Sequence, residues 1–178
     1  MTARGTNLPR VKKQNEALIK EIIYKYGPIS RGKIAEMLSL TPPTITTNVT
    51  SLIERGLVYE FPADASDVEE RSLGRRPVKI DFVQDARYAI GVELNPYQTA
   101  ICMLDLHGNE KISVKYPPMN GEYVEEMDAL AQSIDKLIAG SGVDMEKILG
   151  VGVGLPGFVE AKAGVLRESF KTNWNNKN

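Results

Sequence analysis

The sequence predicts an α/β protein built in two parts, a helical head closed by a short hairpin and a mixed α/β unit behind it. Three observations carry this. Apolar residues recur at helical spacing up to about residue 55 and at strand spacing through most of the rest. A polar gap, "PADASDVEERSLGRRP", interrupts the chain at the changeover. The charge also splits: residues 1–59 carry nine Lys or Arg against four Asp or Glu (net +5), and residues 84–178 carry nine against thirteen (net −4). The predicted domains are residues 1–84 and 85–178.

Bulk properties narrow the class. At 178 residues, 42% hydrophobic and 25% charged, the chain is ordinary for one or two small soluble domains. No apolar run approaches the roughly 18–20 residues that span a bilayer. The start, "MTARGTNLPRVKKQNEAL", has neither an apolar h-region nor a small-residue cleavage site, so a cytoplasmic location with no membrane partner is expected. A single cysteine, Cys102, excludes an internal disulfide framework.

In the head, Leu18, Ile19, Ile22, Ile23 and Tyr26 share one face of a helix predicted over 14–26, which Gly27-Pro28 ends. Ser30 is a good N-cap for a second helix, Arg31 to Leu38, with Ile34, Ala35, Met37 and Leu38 inward. "SLTPP" makes the turn, and Pro42 and Pro43 suit the first turn of a third helix running to about Arg55. Ile45, Val49, Leu52 and Ile53 form its buried side, and Gly56 stops it. Strands near Leu57–Phe61 and Val78–Val83 flank the polar gap. This is the order of a winged helix-turn-helix.

In the second part, "RYAIGVEL", "QTAICMLDL" and "EKISVKY" read as three strands, the last two joined by a tight "HGN" turn. A helix is predicted from Tyr123 to Ala139, with Val124, Met127, Leu130, Ala131, Ile134, Leu137 and Ile138 inward. A buried strand "ILGVGVGL" and a hairpin "FVEAKAGVLRE" follow, and the polar "NWNNKN" is expected to fray. The order resembles the opening of an actin-like nucleotide-binding lobe.

Taken together, "GPISRGKIAEMLSLTPPTIT…LIERGLVYE", "GRRPVKIDF" and "ILGVGVGLPGFVEAKAGVL" resemble the ROK family of repressors, open reading frames and kinases, nearest its xylose-repressor-like members. The resemblance runs from about Val11 to Trp174. It implies a repressor of sugar-utilisation genes that binds a palindromic double-stranded operator as a homodimer. It also implies a sugar effector for full-length members. The family's Asn-Asp sugar clamp and His/Cys zinc cluster are expected beyond residue 178, which argues against effector binding by this chain.

No enzyme activity is expected. Kinase members have an Asp-x-Gly-x-Thr loop after the first strand of the lobe, and here the matching stretch is Glu93-Leu94-Asn95-Pro96-Tyr97. It lacks the glycine that lets backbone approach a phosphate, and Pro96 removes a donor. No catalytic residue, cofactor or metal is expected, and His107 with Cys102 is too few ligands for zinc. His107 reads as a solvated turn residue. Gly152, Gly154 and Gly157 read as a strand-end turn walling a cleft. The alternatives are a sugar-kinase fragment and a winged-helix module that binds protein.

The third helix points to DNA. Opposite its buried side lie Pro43, Thr44, Thr47, Thr50, Ser51 and Glu54, with Thr46 on the flank. Thr is a mediocre helix former, so four within seven residues weaken a merely solvated helix. Its hydroxyl and methyl suit base edges and the thymine methyl. Lys12, Lys13, Arg31 and Lys33 can flank the groove, and Arg75 and Arg76 suit a narrow minor groove. The expected DNA contacts are Ser30, Arg31, Thr41, Pro43, Thr44, Thr46, Thr47, Arg75 and Arg76.

Overall fold

The computed structural model describes residues 8–63, 78–170, 172 and 174–178. The chain divides into two compact units, Met1–Ala86 and Arg87–Asn178.

The first unit opens with α1 (Leu8–Tyr26), which begins earlier than its apolar stripe. Residues 8–13, half charged and half apolar, give no periodic signal, yet they continue the hydrogen-bonded turns. Ile19 and Ile23 are fully buried, whereas Leu18 and Tyr26, expected inward, are exposed. The buried stripe is thus a narrow i, i+4 row. At Gly27 a Cβ would lie 2.5 Å from the Ile23 carbonyl oxygen, so only glycine fits where the chain turns off α1. After β1 (Ile29–Ser30) comes α2 (Arg31–Leu38), with the expected boundaries. Ser30 Oγ accepts from the Lys33 amide at 3.3 Å, the capping bond that an N-terminal Ser supplies. Met37, expected inward, is 38% exposed because only Ile34 of this short helix is fully covered.

Helix α3 (Pro42–Glu54) starts with two prolines where amides have no helical partner, and Gly56 at φ 64° ends it. Strands β2 (Val58–Pro62) and β3 (Val78–Phe82) follow. They pair antiparallel, and β1 adds to the other edge of β3, giving the order β1-β3-β2. The core joins Ile19, Ile23, Ile34, Ile45, Val49, Leu52, Val58 and Ile80. Arg55 at the end of α3 holds Glu16 of α1 at 2.8 Å. Burial raises the Glu16 pKa, and Arg55 and Lys20 more than reverse this, leaving the carboxyl below its ordinary range. That tie is fully present at neutral pH and lost as pH falls through the lowered value.

The second unit is a four-stranded sheet in the order β6-β5-β4-β7 with α4 on one face. Its strands are β4 (Tyr88–Leu94), β5 (Thr99–Asp105), β6 (Glu110–Tyr116) and β7 (Ile148–Gly154), with α4 (Tyr123–Ser141) between β6 and β7. β4 alternates buried and exposed residues, and Tyr88, Ile90, Val92 and Leu94 meet Leu130, Leu137 and Ile138 of α4 in the core. Because α4 is a crossover, β7 lies parallel to β4. Val124 and Ala131 of α4, expected inward, are exposed. The β5–β6 turn is closed by Asp105, whose Oδ1 accepts from the amides of His107 and Asn109 at 2.8 and 2.9 Å. Gly108 supplies φ 80°, and His107 is exposed.

Two expectations fail here. The run Ile148–Gly154 reads as a buried strand, but β7 is an edge strand, with Leu149, Val151 and Val153 exposed by 63%, 47% and 48%. Val151 and Val153 pair with Ile90 and Val92 and so continue the core face beyond the cover of α4. The tail does not fray. β8 (Gly157–Glu160), β9 (Val165–Ser169) and β10 (Asn175–Lys177) form an antiparallel sheet ordered β10-β9-β8. Trp174 is buried, and its Nε1 donates to the Gly121 carbonyl at 3.0 Å.

Candidate nucleic-acid interface and the cleft of the second unit

The N-terminal half of α3 carries the residues read as DNA contacts. Pro43, Thr46 and Thr47 are exposed, as is Thr41 at the N-cap position, and Thr44 is half-buried. The hydroxyls of Thr41 and Thr44 lie 2.9 Å apart, so one donates to the other. Thr50 and Glu54 continue the exposed face, while Ser51 is half-buried. Ser30 is engaged in capping α2. Arg31 is held: Nε donates to Glu60 Oε1 at 2.6 Å and Nη1 to the Thr46 carbonyl at 3.2 Å. Lys33 Nζ meets Glu36 at 3.0 Å, and Lys12 and Lys13 are exposed. Arg75 and Arg76 lie outside the described residues.

Sequence reasoning missed two polar groups. Asn48, only 4% exposed, donates from Nδ2 to the Thr44 carbonyl at 2.8 Å, and its Oδ1 has no partner among the described residues. Such back-bonding onto the preceding turn is typical of a short polar side chain inside a helix. Glu60 was passed over as a strand residue. The signal was present, because Glu60 shares the strand phase of the buried Val58.

The second unit has a small cleft lined by Leu94, Asn95, Pro96, Asn120, Thr172 and Trp174, among others. Asn95 Oδ1 accepts from the amides of Tyr97 and Gln98, both at 2.9 Å. These amides of the β4–β5 turn are therefore occupied by a side chain and not presented to an anion. Next to the cleft-lining Pro156, a Cβ on Gly157 would lie 2.3 Å from the Glu168 carbonyl oxygen. Gly157→Ala should therefore push β8 off β9 and lower stability by about 1–3 kcal/mol, the usual cost of overpacking, measured by chemical denaturation. Gly152 has open space at the same test, so its alanine variant is expected to be near neutral. Among the described residues no group of three His, Cys, Asp or Glu side chains is arranged to hold a metal, and no helix is long and apolar enough to cross a membrane.

Among the described residues, three helices and a three-stranded sheet followed by a mixed α/β unit define the class: a winged helix-turn-helix joined to an α/β unit. The MarR family model matches residues 14–65. The chain is 32% identical over 160 residues to the DNA-binding transcriptional dual regulator NagC of Escherichia coli K12, covering 90% of this chain and 38% of that protein. It is 28% identical over 165 residues to the xylose repressor of Bacillus subtilis 168, covering 92% and 41%. A solved ROK family transcriptional regulator, a homologue of the E. coli MLC protein, matches with a TM-score of 0.71 at 22% identity, covering 93% of this chain and 41% of that one. The chain is thus similar in sequence to these transcriptional regulators and in fold to a ROK family regulator. It spans 38% and 41% of the length of those two curated relatives.

Proposed function

We propose that this chain is the DNA-binding part of a sequence-specific repressor of sugar-utilisation genes, working as a homodimer on a palindromic operator rich in A·T. The observation that carries the reading is α3, whose exposed face offers Thr46, Thr47 and Pro43 with Thr41 at its start. These groups lack the guanidinium fork that reads guanine, and they suit thymine methyls and adenine N6 or N7. Thr44 contributes through its link to Thr41. Arg75 and Arg76 are assigned to a narrow minor groove, a shape that A·T tracts favour.

A sugar effector, as the relatives' names suggest, is proposed to be an aldose of the xylose type or an N-acetylated amino sugar. The cleft of the second unit supplies one wall for it. Titration of this chain with xylose or N-acetylglucosamine is expected to give no heat, because a one-sided cleft buries too little of a small polar ligand. Micromolar binding would sink that expectation.

Selection from a random DNA pool tests the DNA reading. Half-sites dominated by A·T are expected, and half-sites dominated by G·C would overturn it. Replacing Arg75 and Arg76 together with Ala should reduce the salt slope of binding by about 1–2. Thr47→Ala should instead cost about 1 kcal/mol at one or two base positions.

A further inference from the structure

One ion pair in the first unit joins three elements, and it lies among the residues assigned to DNA. Arg31 opens α2, Glu60 belongs to β2, and the Thr46 carbonyl belongs to α3. The two side chains are 27% and 31% exposed. Glu60 stands opposite Ile80 in the β2–β3 register, and Ile80 is fully buried. Directly opposed residues of an antiparallel pair share a face, so Glu60 leaves the edge strand β2 on the same side as Ile80 while staying open to solvent. There the carboxylate takes the Arg31 guanidinium as its partner at 2.6 Å. The guanidinium is planar and offers donors in two directions, which lets it hold a carboxylate and a helix carbonyl together. A lysine has no such fork.

We propose that Glu60 is a positioning residue for DNA recognition. Acting through Arg31, it holds the N-terminal half of α3 against β2 and so sets the angle at which Thr46 and Thr47 are presented. The inference rests on the DNA-binding reading above. Arg31 then serves as a brace, and its charge, already answered by Glu60, adds little to phosphate binding.

The two roles for Arg31 separate by salt dependence. Freed from Glu60, a phosphate-binding Arg31 would gain one contact and steepen the slope of log K against log salt by about 0.9. Freed as a brace, it would leave the slope unchanged and loosen only the specific site. The test uses the full chain, a duplex recovered from the random-pool selection and a mixed-sequence duplex, with binding followed by fluorescence anisotropy at several salt concentrations. Glu60→Ala and Arg31→Ala should each weaken the selected duplex about tenfold, and the double variant should be no worse than either. Binding to the mixed duplex and the salt slope should hold. Glu60→Gln, whose amide oxygen still accepts from Arg31, should stay within about twofold of the wild type. Arg31→Lys keeps the charge but loses the fork, and should behave like Arg31→Ala. Tighter binding by Glu60→Ala with a steeper slope, additive losses in the double variant, or wild-type binding by Arg31→Lys would each overturn the inference. If Glu60→Ala does not fold, Glu60→Gln and Arg31→Lys carry the test alone. A wild-type chain that binds neither duplex sinks the DNA reading itself.

Discussion

Leu52→Ala is expected to destabilise the first unit by about 2–5 kcal/mol, the range for emptying a well-packed leucine site. Leu52 is fully buried on α3, which packs against α1, α2 and β2, so the neighbours cannot all relax into the space. For a domain of this size each kcal/mol moves the melting temperature by roughly 4–8 °C. A fall of at least about 8 °C in thermal melts followed by circular dichroism is therefore expected. A fall of less than about 4 °C would mean that the site collapses more freely than its packing implies. Since natural domains hold only about 5–15 kcal/mol in total, DNA binding should also drop at physiological temperature and recover on cooling. Thr47→Ala should do the reverse, keeping stability within about 0.5 kcal/mol while losing affinity.

Trp174→Ala should cost the second unit about 3–5 kcal/mol. Trp174 is 5% exposed, sits edge-on to the Tyr123 ring with centroids 5.4 Å apart, and donates to the Gly121 carbonyl. Truncation removes the packing and leaves that carbonyl without its donor. Trp174→Phe restores part of the first term and none of the second, so it should fall between the two. Urea denaturation followed by circular dichroism measures both. If Trp174→Ala lies within about 1 kcal/mol of the wild type, the tail does not depend on this anchor.

What the sequence made legible was local. The limits of α2 follow from a Ser cap and a short apolar set, and both are read within a dozen residues. The exposed face of α3 follows from its phase. Tertiary cover decided the rest. The apolar run Ile148–Gly154 looks like a strand buried on both faces, and only the sheet order makes it an edge. The tail "NWNNKN" has no period, and a single aromatic anchor orders it. β1 is two residues long and is defined by its partner, Lys79 and Ile80, some fifty residues away. In the site, the exposure of Thr46 and Thr47 could be read from helix geometry, but the engagement of Arg31 could not, because Glu60 is 29 positions further on.

Trp174 is the chain's single tryptophan, and its neighbours Gly121 and Tyr123 belong to the second unit. Its emission is therefore an optical label already built into that unit and silent about α1, α2 and α3. Excitation at the red edge of the indole band follows the loss of the Tyr123 and Gly121 contacts alone. The first unit has no tryptophan, and excitation at the red edge passes over its tyrosines, among them the exposed Tyr24 and Tyr26. Indole emission thus follows the second unit by itself, while helical ellipticity sums α1, α2 and α3 with α4 of the second unit, and the difference between the two curves isolates the first unit in one unlabelled sample. For Leu52→Ala the ellipticity curve moves and the indole curve stays.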